Sequence, residues 1–109
     1  MKIEIEKKTE EKVILISIIG TLVALKNEKI SLEEAESFIF SPYFSGKLKK
    51  SKIREEIVDL VVECCELEDI MSLLPDYLEM TYDKLQKKAL EMLKEYAECN
   101  DTFWVNLFD

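Results

Sequence analysis

The sequence contains no histidine, which removes the commonest general base, the usual proton partner of a nucleophilic Ser or Cys, and the commonest metal ligand. Its two glycines, Gly20 and Gly46, stand 26 residues apart, so no Gly-rich loop is available to cradle a phosphate. The three cysteines, Cys64, Cys65 and Cys99, form no C-x-x-C pair, and a zinc site built on them would need a carboxylate. Bases are missing altogether from Glu55 to Glu79, where nine acids stand. No apolar run reaches the roughly 20 residues of a membrane-spanning helix. The opening M-K-I-E-I-E-K-K lacks the apolar region of a signal peptide. These absences lead us to expect no catalysis, no metal, no cofactor and no membrane insertion. An odd cysteine count without a secretion signal predicts reduced, mostly buried thiols in the cytoplasm. Only an exposed Cys65 would offer redox chemistry.

What is present fits one small helical domain spanning residues 1–109. The chain is 48% hydrophobic and 35% charged, with two prolines, enough apolar material for a core and few chain breakers. Val13 to Leu25, V-I-L-I-S-I-I-G-T-L-V-A-L, is apolar on nearly every side. Such a helix belongs in a core. We therefore read a central helix over about 9–26, with Thr9 as its N-cap and Glu10 and Glu11 in its first turn. Its β-branched content leaves a buried strand as the alternative. Ser17, Gly20, Thr21 and Ala24 share one side, where a neighbouring helix could approach closely. Before it, Lys2 to Glu6 alternates with the period of a strand.

Ser31-Leu-Glu-Glu34 is a capping box opening a second helix, with Leu32, Ala35, Phe38 and Ile39 inward. Ser41 and Pro42 suit the start of a further short turn. The aromatics Phe38, Phe40, Tyr43 and Phe44 are expected mainly in the core. Ser51 reads as the cap of a third helix to about Glu66, with a stripe of Ile53, Ile57, Leu60, Val61, Cys64 and Leu67. That helix would begin basic (Lys52, Arg54) and end acidic, against the macrodipole preference. Assigning Glu66, Glu68 and Asp69 to the first turn of a short following helix, ending before Pro75, eases the conflict. A long helix from Asp76 to about Cys99 carries the heptad seam Leu78, Tyr82, Leu85, Ala89, Met92, Tyr96, Cys99. Leu90, Leu93 and Ala97 widen that seam. The tail Thr102 to Phe108 suits a strand that could pair with Ile3 and Ile5. The fold class is thus mainly α: a compact bundle of four to five helices around the central one, with the two terminal segments offered as a small two-stranded pairing.

Net charge is −8, which disfavours nucleic acid and anionic membranes as partners. The basic segment Lys47 to Arg54 is short and is followed at once by the acidic block, so local pairing or solvation is its simplest reading. The acids Glu55, Glu56, Asp59, Glu63, Glu66, Glu68 and Asp69 define a candidate face for a basic protein partner, with Tyr43 and Phe44 as a candidate aromatic contact. An immunity or inhibitor protein neutralising a nuclease-like toxin is the concrete form of that reading, because complementary fields speed association. A homodimer using the Leu78–Cys99 seam or the Tyr43 region is the alternative.

The stretch I-L-I-S-I-I-G-T-L-V-A-L-K-N-E-K-I-S-L-E-E-A-E-S-F-I-F-S-P, followed by C-E-L-E-D-I, resembles a bacterial family of about this length classed as domain of unknown function 3969. The resemblance covers roughly residues 14 to 75 and rests on core and cap positions. It implies a small bacterial protein and carries no functional residues with it.

Overall fold

The computed structural model describes residues 2–98, with side chains from Lys7 onward. Six α-helices follow in order: α1 (Lys2–Lys26), α2 (Leu32–Phe38), α3 (Pro42–Lys50), α4 (Glu55–Cys65), α5 (Leu67–Leu73) and α6 (Leu78–Leu93), with a 3-10 turn over Pro75–Tyr77. Four of them run nine residues or more; α2 and α5 have seven each. There is no strand among the described residues. The expected terminal strand pair is therefore not supported: Lys2 to Glu6 is the first turn and more of α1, and Thr102 to Phe108 lies outside the described residues. Extending an existing helix adds one hydrogen bond per ordered residue, whereas a strand needs a partner before it gains any.

α1 packs antiparallel on α6. Lys26 Nζ pairs with Asp83 Oδ1 at 2.7 Å at one end, and Lys12 Nζ donates to the Ala97 carbonyl at 2.9 Å at the other. Leu15, Ile18, Leu22 and Leu25, spaced three and four apart, form the buried side of α1. Burying each stabilises the fold by about 1.5–3 kcal/mol. They meet Tyr82, Leu85 and Ala89 of α6 and Ile57, Leu60, Val61 and Cys64 of α4 in one core. α1 is not buried all round, as its composition suggests: Ile16 is 52% exposed, and Val23 and Gly20 are also exposed on its outer side. The helices around it cover one side only. Of Ser17, Gly20, Thr21 and Ala24, only Thr21 is buried. They line a shallow groove with Ile30, Glu34 and Phe38.

The α3–α4 turn removes the charge conflict read from the sequence. Ser51 ends α3 rather than capping α4, so Lys47, Lys49 and Lys50 occupy the last turn of α3, and Glu55 and Glu56 the first turn of α4. Each set then lies at the helix end its charge favours. Ser31 and Ser41 cap α2 and α3 by accepting from the Glu34 and Phe44 backbone N–H groups at 3.0 and 3.2 Å. The stripe from Ile53 to Leu67 is buried throughout, and Glu68 and Asp69 fall in the first turn of α5.

Two helices end in the same way. After α1, Glu28 adopts φ 57°, with Glu28 N–H bonded to Leu25 O at 3.0 Å and Lys29 N–H to Ala24 O at 2.9 Å. After α3, Lys52 adopts φ 60°, with Lys52 N–H bonded to Lys49 O and Ile53 N–H to Leu48 O, both at 3.1 Å. These are Schellman ends whose left-handed position, usually glycine, holds Glu28 and Lys52. The two glycines sit inside helices instead.

Candidate functional site

The acidic block folds into two unequal parts. On α4, Glu56 and Glu63 are engaged by the chain's own bases. Glu63 takes both oxygens to Lys88 Nζ at 2.8 and 2.9 Å, and Glu56 pairs with Arg54 at 3.1 Å. The Arg54 hydrogen bond holds the Glu56 carboxyl below its ordinary range. Asp59 shares a cleft with Glu56 and Glu63, and Lys84, Lys87 and Lys88 face them across it. Much of the expected acidic face is therefore opposed by α6. Glu55 is exposed beside it at the start of α4.

The second part surrounds the corner from α5 to α6. Glu66, Glu68 and Asp69 at its start, and Asp76 and Glu79 beyond it, are exposed and in no ion pair among the described residues. Glu68 lies beside Glu36 of α2. Partial burial, followed by that neighbouring carboxyl, raises the Glu36 pKa above its ordinary value. Between these acids stands a patch the sequence reading missed: Met71, Leu73, Leu74, Tyr77 and Met80 are all more than half exposed, Leu73 at 76%. The seam side of α6 takes Leu78, Tyr82 and Leu85, so these five residues have no core left to enter. Their signal in the sequence is five large apolar side chains in ten residues, broken by Pro75 and off the seam spacing. Large apolar side chains exposed this close together in the chain point to an interaction site. The patch borders a cleft between the α1–α2 turn and the corner, floored by Leu25, Ile30, Leu32 and Leu78, with Glu34 and Glu79 on its rim.

The remaining sequence candidates separate. Tyr43 is 74% exposed, with Lys47 Nζ 5.6 Å from its ring centroid, whereas Phe44 is partly buried against the core. Of the four aromatics expected inside, Phe40 is fully buried and Phe38 is exposed. The reason is helix phase: Ala35, Ile39 and Phe40 take the inward side as α2 closes, leaving Phe38 outside. Leu90, expected to widen the seam, is exposed because α1 covers only the side of α6 that carries Tyr82, Leu85 and Ala89, and Ala97 is exposed beyond the helix, which ends at Leu93 rather than near Cys99. Cys64 is buried and Cys65 half-buried, and burial raises both thiol pKa values, most strongly at Cys64. Cys99 lies outside the described residues. Among those described, no cluster of three or more potential metal ligands occurs, and no helix is long and apolar enough to cross a membrane.

Glu11, expected in the first turn of the central helix, lies further inside α1 and is buried. Its two oxygens accept from the Arg54 backbone N–H and from the Tyr96 hydroxyl, each at 2.8 Å. The Arg54 guanidinium also reaches Glu95 at 3.2 Å, tying α1, the α3–α4 turn and the end of α6 together. Thr9, read as an N-cap, lies buried inside α1, because the helix begins earlier.

No curated protein and no solved structure matches the chain. A family model does, over residues 5–106, beyond the stretch that carries the resemblance in sequence. The chain belongs to the family described as Protein of unknown function (DUF3969).

Proposed function

We propose that this protein is a non-enzymatic, cytoplasmic protein-binding module that captures a basic partner protein, in the manner of an immunity or inhibitor protein. The observation that carries this reading is the exposed apolar corner from Met71 to Met80 with Glu68, Asp69, Asp76 and Glu79 around it. Apolar area supplies affinity, and acids that are in no ion pair among the described residues supply a field that steers a basic protein and fades with salt. The binding face thereby moves from α4, where Lys88 and Arg54 engage two of the acids, toward α5 and the start of α6. The test is capture from host lysate at low and high salt by the wild type and by a triple variant, Glu68→Lys, Asp76→Lys and Glu79→Lys. A basic protein retained at low salt by the wild type alone supports the reading; equal capture by the folded variant overturns it.

A second reading is self-association, favoured by the outer side of α1, where Ile16, Gly20 and Val23 meet solvent. The Leu78–Cys99 seam is a poor dimer surface, since Tyr82, Leu85 and Ala89 are spent inside the monomer. Light scattering on Ile16→Asp beside the wild type tests this second reading. A monomer at all concentrations removes it.

A further inference from the structure

We infer that the α5–α6 corner receives a single amphipathic helix with a basic flank, presented by the partner; this rests on the binding-module reading above. The surface combines two properties that different partner shapes would use unequally. Met71, Leu74, Tyr77 and Met80 are all exposed within ten residues of chain, and Met71 lines the cleft together with Leu78 and Ile30. Two of the four are methionines, whose unbranched side chains adapt to a docking ridge. Asp76 and Glu79 lie in the same segment, and Glu68 and Asp69 one short helix earlier, all without an ion pair among the described residues. Of the two bases lining that cleft, Lys26 pairs with Asp83 and also feels Glu79, and Lys29 is exposed, so the acids outnumber the free base there.

An extended basic tail would meet the acids and leave the apolar side chains wet. A neutral apolar surface would cover those side chains and strand the acids. A helix with apolar side chains at i, i+3, i+4 and i+7 and lysine or arginine beside them satisfies both at once, the helix-in-groove mode of recognition. In this arrangement the apolar side chains set the dissociation rate, and the acids set the association rate and its salt dependence.

The test uses the full chain and synthetic peptides of about 18 residues built from Leu and Lys, long enough to display such a face. One peptide has Leu at helical spacing, a second has the same composition in scrambled order, and a third replaces Lys by Glu. Binding is read by fluorescence anisotropy and located by amide chemical-shift changes. The patterned basic peptide is expected to bind about tenfold or more tighter than the scrambled one, and Leu74→Asp with Met80→Asp to abolish that difference. Asp76→Lys with Glu79→Lys should slow association and flatten its salt dependence. These four residues are exposed, and thermal melts of the variants verify an intact fold. Equal binding of the patterned and scrambled peptides overturns the inference, as does binding of the acidic peptide or a shift map centred on α4 or on the outer side of α1. Loss of the peptide preference while lysate capture of a basic protein persists overturns the helix inference alone. Loss of both overturns the binding-module reading with it.

Discussion

The carboxylate of Glu11 accepts the backbone N–H of Arg54 at 2.8 Å across 43 residues of chain. Arg54 is the residue before α4, and no side chain caps that helix. Glu11 therefore satisfies the entry to α4 from the middle of α1, and with its second oxygen it takes the Tyr96 hydroxyl. Replacing it strands two partly buried donors together. Glu11→Ala is expected to lower stability by about 2–3 kcal/mol, and Glu11→Gln by less, since the amide oxygen can still accept one bond. Urea denaturation at unchanged m-value checks both, and equal losses in the two variants would refute the hydrogen-bond account.

Helix ends offer the reverse experiment. Lys52 and Glu28 hold left-handed backbone that glycine adopts without cost, whereas Gly46 lies inside α3 with open space where a Cβ would stand. Lys52→Gly and Glu28→Gly should each raise stability by roughly 0.5–1 kcal/mol, and Gly46→Ala by a similar amount. Glu28 is 18 or more residues from the other two and its gain should add to theirs, whereas Gly46 and Lys52 share the end of α3 and their gains couple. A shift of the urea midpoint reads the outcome.

Two carboxylates give opposite pH signatures. The folded-state pKa of Glu56 is lowered by Arg54, so its contribution is present above the unfolded value and is lost as pH falls through the folded one. The folded-state pKa of Glu36 is raised by burial and by Glu68, so the folded chain holds its proton longer and stability declines as pH rises through that range. Stability measured between about pH 4 and 7 should fall less with rising pH in Glu36→Gln than in the wild type. In Glu56→Gln the stabilising rise should shrink at and below the ordinary carboxylate pKa, between roughly pH 2 and 5. Parallel curves for all three proteins would contradict both assignments.

Thiol chemistry provides a probe of the core. In a Cys99→Ser background, Cys64 should resist a thiol reagent until the protein unfolds, and Cys65 should react slowly at neutral pH, because burial raises both pKa values. Reaction of two thiols at the rate of a free peptide would contradict the buried placement of α4.

Spacing made the core of α4 and α6 legible before any coordinates, since Ile57, Leu60, Val61, Cys64, Tyr82, Leu85 and Ala89 all fall on one period and all are buried. The caps Ser31 and Ser41 were equally readable, because capping is local chemistry. What escaped were features set by long-range neighbours. The burial of Glu11 depends on Arg54 and Tyr96, neither of which is near it in sequence. The break at Lys52 hid because its left-handed residue is not a glycine, and a basic run merged with an acidic one into a single implausible helix. The apolar corner hid for a different reason: Met71, Leu74 and Met80 have core chemistry, and only the shortage of anything to cover them reveals their exposure.

The pairing of α1 with α6 has a consequence for how the chain comes into being. Of the described helices, α1 is made before the other five and finds its main partner in α6, with Lys12 set against Ala97 and Lys26 against Asp83. At roughly 5–20 residues per second, a ribosome takes about 4–14 s to pass from Lys26 to Tyr96. Throughout that interval Leu15, Ile18 and Leu22 belong to a nascent chain with no α6 to receive them. The greatest hazard of misassociation therefore falls during synthesis, and helpers that shield nascent apolar segments should matter more for yield than the stability of the finished fold.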